Sequence, residues 1–497
     1  MSLRSTIIKA WAKRTSDRVL KTSLDATAVQ QKVLQELLQT AKNTDFIRDH
    51  GVAGADHAAF KEKVPLRDYE KLRPYMDRVV KGESDVLWPG KPTYLCKTSG
   101  TTSGTKYIPL TAASLPMHLR AARNALMAYI AETCNTQFTN GKMIFLQGSP
   151  ELDRSGPIPT GRLSGIVANH VPAYLRNHRL PSYDTNCIED WEEKVDRIVA
   201  ETIDQKMSLI SGIPPWVQMY FEKLLQKSGK ENIAQLFPDL SLLVHGGVNF
   251  RPYAASFETL LGKKVDMVET YPASEGFIAY QDRQDKEGLL LLVDNGIFFE
   301  FIPRDEIHNE SPTRLNVGEV ETNKDYAIVI NSNAGLWGYL LGDLVRFTEL
   351  SPPRLVVSGR VEHFISAFGE HVIGKEVDSA MIHACKATGA EVAEFTVAPQ
   401  VAPQEGLPYH EWLVEFNKLP NDIDGFTNEL NRSMCSENSY YNDLIKGSVL
   451  RKLVLSQVSK GGFAEYMRSQ GKLGGQNKLP RLANNRKIAD AVSSTKL

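Results

Sequence analysis

One stretch, Thr98-Ser99-Gly100-Thr101-Thr102-Ser103-Gly104-Thr105-Lys106, constrains the fold and chemistry of this chain more than any other. A Pro/Gly-marked approach, Trp88-Pro89-Gly90-Lys91-Pro92, leads into a short strand expected at Tyr94-Leu95-Cys96, and the loop follows at once. Glycines let a backbone approach a ligand closely, and successive N–H groups with hydroxyls can surround phosphate oxygens. Lys106 supplies the positive charge that phosphate needs. A P-loop requires four residues between its glycines and a Lys-Ser/Thr directly after the second. Here three residues separate Gly100 from Gly104, Thr105 intervenes, and Tyr107-Ile108-Pro109 follows where a P-loop would start a helix. A flexible Ser/Gly linker is the competing reading. Linkers seldom end in a lysine and a strand-like Tyr-Ile-Pro, so phosphate binding is favoured.

At 497 residues, the chain exceeds the roughly 250–300 residues at which single cores stop growing, and two or more domains are expected. A formal net charge of -1 gives no electrostatic footprint for nucleic acid or an anionic membrane. Cys96, Cys134, Cys187, Cys385 and Cys435 lie far apart with no CxxC pair, which argues against a disulfide framework and a zinc site. No run approaches the roughly 18 apolar residues of a membrane span, and Lys9, Lys13 and Arg14 open no secretory signal. A soluble, cytoplasmic protein is expected.

Val29, Val33, Leu34, Leu37 and Leu38 recur at helical spacing. To about residue 280, strand candidates (Met143–Leu146, Leu240–Val244, Val265–Val268) alternate with helical patterns such as Trp191–Lys206 and Trp216–Lys227, the signature of a layered α/β domain. Asp294-Asn295-Gly296 between the apolar runs Leu289–Val293 and Ile297–Ile302 predicts a hairpin. Further strands are expected at Val317–Thr322, Ala327–Ile330, Asp343–Phe347 and Leu355–Val357, forming an antiparallel sheet or small barrel. Beyond Gly359-Arg360 comes a compact set: a helix at Lys375–Lys386, strands at Val392–Val397 and Trp412–Phe416, then helices from Phe426 onward. Part of the Gly/Lys/Arg/Asn-rich tail from Gly461 is expected to be mobile.

Two more segments carry candidate chemistry. In Glu269-Thr270-Tyr271-Pro272-Ala273-Ser274-Glu275-Gly276, a tyrosine can stack on a purine, a serine can reach a phosphate and a carboxylate can hold magnesium. In Gly338-Tyr339-Leu340-Leu341-Gly342-Asp343, an aspartate can accept from both ribose hydroxyls. Each alone is compatible with a plain turn.

Together, in this order, the three loops resemble the adenylate-forming superfamily, and more closely the acyl-acid amido synthetases: the auxin-responsive Gretchen Hagen family of plants and its bacterial relatives. A bacterial member is expected. Ser211-Gly212-Ile213-Pro214-Pro215-Trp216 is similar to that family's acyl-site segment, and His245-Gly246-Gly247-Val248-Asn249 to its adenine turn. Ser358-Gly359-Arg360, with Ile365 and Gly369, resembles the hinge, and Gln476-Asn477-Lys478-Leu479-Pro480-Arg481 the C-terminal Gln-x-Lys-x-Pro-Arg motif. One departure stands out: Leu340 occupies the place of the family arginine.

The resemblance implies an α/β fold. A large N-terminal adenylate-forming domain of layered α/β sheets plus a small β-barrel (residues 1–360) would carry a smaller mobile α+β C-terminal domain (residues 361–497), turning about the Gly359–Glu362 hinge. It implies ATP and Mg²⁺ as cofactors, a carboxylic acid and an amino acid as partners, and a monomer. Ser99, Gly100, Thr101, Thr102 and Lys106 would grip the triphosphate. Tyr271 would stack on adenine beside Gly246 and Gly247, Ser274 would touch the α-phosphate, Glu275 would hold Mg²⁺ and Asp343 the ribose. Arg360 belongs to the same nucleotide set. Lys478 would be the mobile catalytic cation, with Lys487 its rival. Ile213 and Pro214 would face the acid.

Arg120 and Arg123 lie three apart on the helix expected after the phosphate loop. Arg123 is a candidate carboxylate anchor, though an exposed helix face is the commoner arrangement. His118, His170 and His245 have no Ser or Cys partner at recognisable spacing and read as structural. The alternatives are a thioester-forming coenzyme A ligase and a nucleotide binder that has lost catalysis, to which Leu340 alone points. Absence of GxGxxG and GxSxG disfavours hydride transfer and serine hydrolysis.

Overall fold

The computed structural model describes residues 3–99, 105–171, 178–188, 191–247, 250–307, 309–361, 364–365, 372–401, 403–446, 449–473, 478–483 and 485–493. Two compact units emerge: Met1–Val248 with Leu260–Val357, and Asn249–Thr259 with Ser358–Leu497. The second therefore draws in a segment whose sequence lies inside the first.

In the first unit, β1 (Tyr94–Ser99), β2 (Thr105–Leu110) and β4 (Thr160–Gly161) form a small sheet in the order β2-β1-β4. Among the described residues the main sheet has eleven strands: β3 (Lys142–Phe145), β5 (Arg179–Leu180), β6 (Met207–Ser211), β7 (Leu242–Gly246), β8 (Asp266–Ala273), β9 (Gly276–Tyr280), β10 (Leu289–Leu291), β11 (Ile297–Pro303), β12 (Asp325–Ser332), β13 (Tyr339–Leu350) and β14 (Pro353–Arg360), whose residues from Ser358 on belong to the second unit. Their order is β11-β12-β13-β14-β10-β9-β8-β7-β6-β3-β5. From β5 to β8 the pairing is parallel, and β8–β9, β9–β10, β10–β14, β11–β12 and β12–β13 are antiparallel. The parallel strands are near-continuous apolar runs because helices cover both faces of such sheets. The helix Pro214–Ser228 starts on a proline and stops at Gly229 in the left-handed region (φ 67°).

The antiparallel strands, expected as a sheet or small barrel, continue the same sheet as the parallel ones rather than closing a barrel. The expected Asn-Gly hairpin is also overturned. A turn exists at Gly296 (φ 73°), but β10 pairs with β9 and β14, and β11 with β12. The reason is Gln30, buried on the helix Ala26–Ala41. Its amide donates to Val293 O (2.6 Å) and Ile297 O (2.8 Å) and accepts from Phe299 N (2.8 Å), so it occupies backbone groups a hairpin would use. Asn295 Nδ2 donates to Phe277 O and Arg120 to Asp294 O, drawing the turn the other way. Val317–Thr322 is no strand; isolated bridges occur at Leu315, just before it, and at its last residue, Thr322.

The helix Ala26–Ala41 forms as its spacing predicts, burying Val33, Leu34, Leu37 and Leu38. Among the described residues, no helix is long and apolar enough to cross a membrane.

In the second unit, β15 (Phe364–Ile365) and β16 (Val372–Ile373) form a ribbon. β17 (Glu391–Gln400), β18 (Tyr409–Lys418) and β19 (Val454–Val458) form a sheet. β17 and β18 are antiparallel, β18 and β19 parallel. The helices Gly374–Thr388 and Ile423–Glu437 bury Met381, Phe426 and Leu430 in a core with stacked Phe395 and Trp412. β19 falls where only helices were expected.

Candidate active site

β8 and β13 each break register where a candidate residue sits. On β8 the ladder to β9 shifts between Tyr271 and Pro272, and on β13 it shifts opposite Ala327 and Val329, between Leu340 and Leu344. Bulges re-aim side chains and bend the bulged strand. Gly342, at φ 86°, supplies a conformation inside the second bulge that L side chains rarely adopt. The result is a direct contact: the Tyr271 hydroxyl donates to Asp343 Oδ2 at 2.5 Å. Three strands separate β8 from β13, so a flat sheet would hold them about 19 Å apart. The sheet must coil to close that gap. Both residues are buried, Tyr271 8% and Asp343 5% exposed.

Glu275 lies in the turn from β8 to β9. The Tyr339 hydroxyl, at the start of β13, hydrogen-bonds to it; burial, then the Glu275 charge, push that phenol well above its usual range. Burial and the same carboxylate raise the Cys96 thiol. Lys106 opens toward Tyr69, with Nζ 5.8 Å from the ring centroid. The Tyr69 hydroxyl accepts from Tyr107 N at 3.0 Å, tying β2 to the helix Tyr69–Val80, which Asp68 caps. Arg67 N donates to Gly338 O and Leu340 N to Arg67 O, both at 2.8 Å, so this segment pairs with β13 beside Tyr339. No sequence pattern marks Tyr69 or Arg67 beyond the capping Asp68, or a role for Tyr339.

The candidate adenine and acyl turns lie together at the carboxyl ends of parallel strands, where open α/β sheets bind ligands. β6 ends at Ser211 and pairs there with Val244 of β7. Gly212 N donates to Val244 O at 3.0 Å, Ile213 is extended, and Pro214 begins the helix. A Cβ on Gly246 would lie 2.2 Å from Thr270 O, so only glycine allows this approach to β8. Gly247 follows at φ 82°. His245 is buried and its imidazole is pushed down to about 4 by burial, a structural neutral histidine. Ser274 is buried next to Glu275.

Gly100, Thr101 and Thr102 lie outside the described residues. The backbones of Ser99 and Arg360 end β1 and β14, and their side chains also lie outside the described set. β1 and β2 pair up to Ser99↔Thr105, so the phosphate-loop candidate joins two strands. The Arg123 guanidinium is exposed and sits 5.7 Å over Trp11, while Arg120 holds Asp294 O and Asn295 Oδ1.

In the second unit, Lys478 is exposed beside half-buried Leu479 and Pro480. Lys487 opens the helix Lys487–Ser493, also exposed. Among the described residues no three His, Cys, Asp or Glu side chains gather as a metal cage.

The GH3 family N-terminal domain matches residues 15–180, its central domain 290–360 and its C-terminal domain 375–487. The chain belongs to the GH3 family. It shares the α/β fold of solved adenylate-forming ligases, and its GH3 relatives are named as amido synthetases. Among GH3 relatives, the indole-3-acetic acid-amido synthetase GH3.3 of Arabidopsis thaliana is 22% identical, covering 94% of this chain and 91% of the relative. The jasmonoyl–L-amino acid synthetase JAR4 of Nicotiana attenuata is also 22% identical, over 77% of this chain and 78% of its own. A solved GH3.15 acyl acid amido synthetase in complex with 2,4-DB superposes with a TM-score of 0.83 at 16% identity, over 98% of this chain and 96% of its own. A 2-hydroxyisobutyryl-CoA ligase shares the fold at a TM-score of 0.63 and 14% identity, over 94% and 90%.

Proposed function

We propose that this GH3 enzyme activates a carboxylic acid with ATP as its acyl-adenylate and passes the acyl group to the amine of an amino acid. The observation that carries the reading is the Tyr271–Asp343 hydrogen bond. It draws the second and third candidate loops onto one site, with Glu275 on the turn next to Tyr271 and bonded to Tyr339.

In this reading a carboxylate oxygen of the acid attacks the α-phosphorus, and the bond to pyrophosphate breaks. Two anions meet, so positive charge and in-line placement dominate the barrier. Lys106 faces the β- and γ-phosphates, with the loop hydroxyls of Ser99, Thr101 and Thr102 and the Gly100 backbone. Asp343, held by Tyr271, accepts from the ribose hydroxyls. Tyr271 lies along the adenine with the Gly246-Gly247 backbone, Ser274 reaches the α-phosphate, and Arg360 belongs to the nucleotide set. Ile213, Pro214 and Arg123 are assigned to the acid. Lys478 brings the mobile cation. The amine then attacks the acyl carbon and AMP leaves.

Magnesium usually keeps several waters and takes one or two carboxylates plus substrate phosphates. A single carboxylate, Glu275, with no group of three acidic, His or Cys side chains gathered at it among the described residues, fits that habit. Mg²⁺ there would draw charge from the phosphate oxygens. A monomer and a cytoplasmic location belong to the same proposal.

The test is ATP–pyrophosphate exchange with Mg²⁺ across aryl, indole and aliphatic acids. Exchange driven by one class supports the reading, and release of AMP on adding amino acids rather than coenzyme A separates it from a thioester ligase. Nucleotide binding without exchange for any acid would sink it.

A further inference from the structure

The segment that carries Lys478 is fastened to the edge of β17 by its own backbone. Thr396 Oγ1 donates to Pro480 O (2.7 Å), Val397 N to Arg481 O (2.9 Å) and Ala483 N to Val397 O (3.0 Å). Leu479 packs on the apolar cluster around Leu413, Val458 and Phe463. Those contacts already cover the strand edge.

The Arg481 side chain adds something they do not require. Its Nε lies 3.3 Å from Asp378 Oδ1, and Nη1 donates to the Glu394 carboxylate and to Phe395 O (3.1 Å). Nη2 donates to Tyr253 Oη at 2.9 Å, and the guanidinium lies 4.4 Å from the Phe395 ring centroid. Tyr253 belongs to this same unit, through Asn249–Thr259. Burial alone would lower the guanidinium's proton affinity, but Glu394, Tyr253 and Asp378 reverse this and raise it. Desolvating such charges costs several kcal/mol per ion, and the best-attested return is a fixed register. A planar fork that donates to Glu394, Phe395 O and Tyr253 and ion-pairs with Asp378 fixes both position and rotation, which a point charge does not.

We propose that Arg481 is a positioning residue: clamped by Asp378, Glu394 and Tyr253, it sets the register of residues 478–483 on β17 and so the point from which the Lys478 ammonium reaches out. Pro480, with its fixed φ, and the packed Leu479 leave little slack between the clamp and the lysine. This rests on the reading of Lys478 as the adenylation cation.

The test is a double-mutant cycle in pyrophosphate exchange, read as kcat and the KM for ATP, beside thermal unfolding. Arg481→Lys keeps the charge and loses the fork. It is expected to lower kcat about 10- to 100-fold, the scale of a misplacement near 1 Å, while the KM for ATP stays put. Tyr253→Phe removes one hydroxyl and no charge, and is expected to lower kcat in the same direction with the melting temperature nearly unchanged. In a Lys478→Gln background both substitutions are expected to have almost no further effect, since residues acting through one group are non-additive. An equal loss in both backgrounds, or full activity of Arg481→Lys, overturns the clamp while leaving Lys478 in its role. Full exchange by Lys478→Gln itself would remove the cation reading, and the clamp's purpose with it.

Discussion

The Tyr271 hydroxyl and the Asp343 carboxylate meet at 2.5 Å although three strands of the same sheet lie between their own. A buried hydrogen bond to a charged group contributes about 1.5–3 kcal/mol. Tyr271→Phe is therefore expected to raise the KM for ATP roughly 10- to 100-fold, with the fold intact. Exchange kinetics and calorimetric nucleotide binding measure it. An unchanged KM would show that Asp343 holds its place without the tyrosine.

Gly342 and Gly246 separate activity from stability. Gly342 has a positive φ but open space where a Cβ would go, so Gly342→Ala is expected to cost about 1–2 kcal/mol of backbone strain. Its larger effect is to turn Asp343, seen as a fall in exchange beyond that predicted from the melting temperature. Gly246→Ala drives a Cβ against Thr270 O and is expected to cost about 1–3 kcal/mol in urea unfolding. A neutral Gly246→Ala would mean that β7 and β8 can part freely.

A second network sits under the antiparallel half. Glu300 on β11 is fully buried, bonded by Arg314 (2.6 and 2.9 Å), His57 Nε2 (2.9 Å) and Asn331 (2.9 Å). Burial would raise its carboxyl, but the His57 hydrogen bond and Arg314 charge bring it down to about 2. The folded value lies below the ordinary 4.5, so the stabilisation is present above that pH and drains as pH falls toward 2. Arg314→Met strands the carboxylate and is expected to cost about 3–5 kcal/mol. Adding Glu300→Gln should return most of it, measured by denaturant unfolding.

His118, with His245, contributes a milder acid limb. Burial pushes His118 down to about 4, and its Nε2 has no hydrogen-bond partner among the described residues. The unfolded chain takes up the proton first, so stability is full above about 6.5 and declines as pH falls toward 4. His118→Gln is expected to flatten the midpoint-versus-pH curve in that window. An unaltered slope there would assign the limb to other groups.

The local framework of the candidate site was legible because it follows from neighbouring residues. The loop ending at Lys106 showed its strand–loop–strand context through Tyr107-Ile108-Pro109, and the helix Ala26–Ala41 showed its buried face through periodicity. Gly342 and Pro272 stand at the two register shifts, as residues that disturb ladders do. What stayed hidden depends on residues far apart in sequence. Gln30 looks like any polar helix residue until it meets Val293, Ile297 and Phe299, and without it the Asn-Gly hairpin was the reasonable reading. Tyr69 and Arg67 reach the site only because β2 and β13 come to them. β19 was missed because its pairing with β18, rather than its own pattern, makes it a strand.

The β1–β2 hairpin has one more implication. A P-loop feeds a helix, whose aligned peptides hold roughly half an elementary charge at the anion permanently. Here the chain returns as a strand, with Tyr94 to Ser99 laddered against Leu110 to Thr105, and a strand pair has almost no net dipole to lend. The attraction at this loop is thus chemical rather than architectural. On the phosphate-binding reading it resides in the Lys106 ammonium, a full unit charge that one side chain carries and one substitution removes.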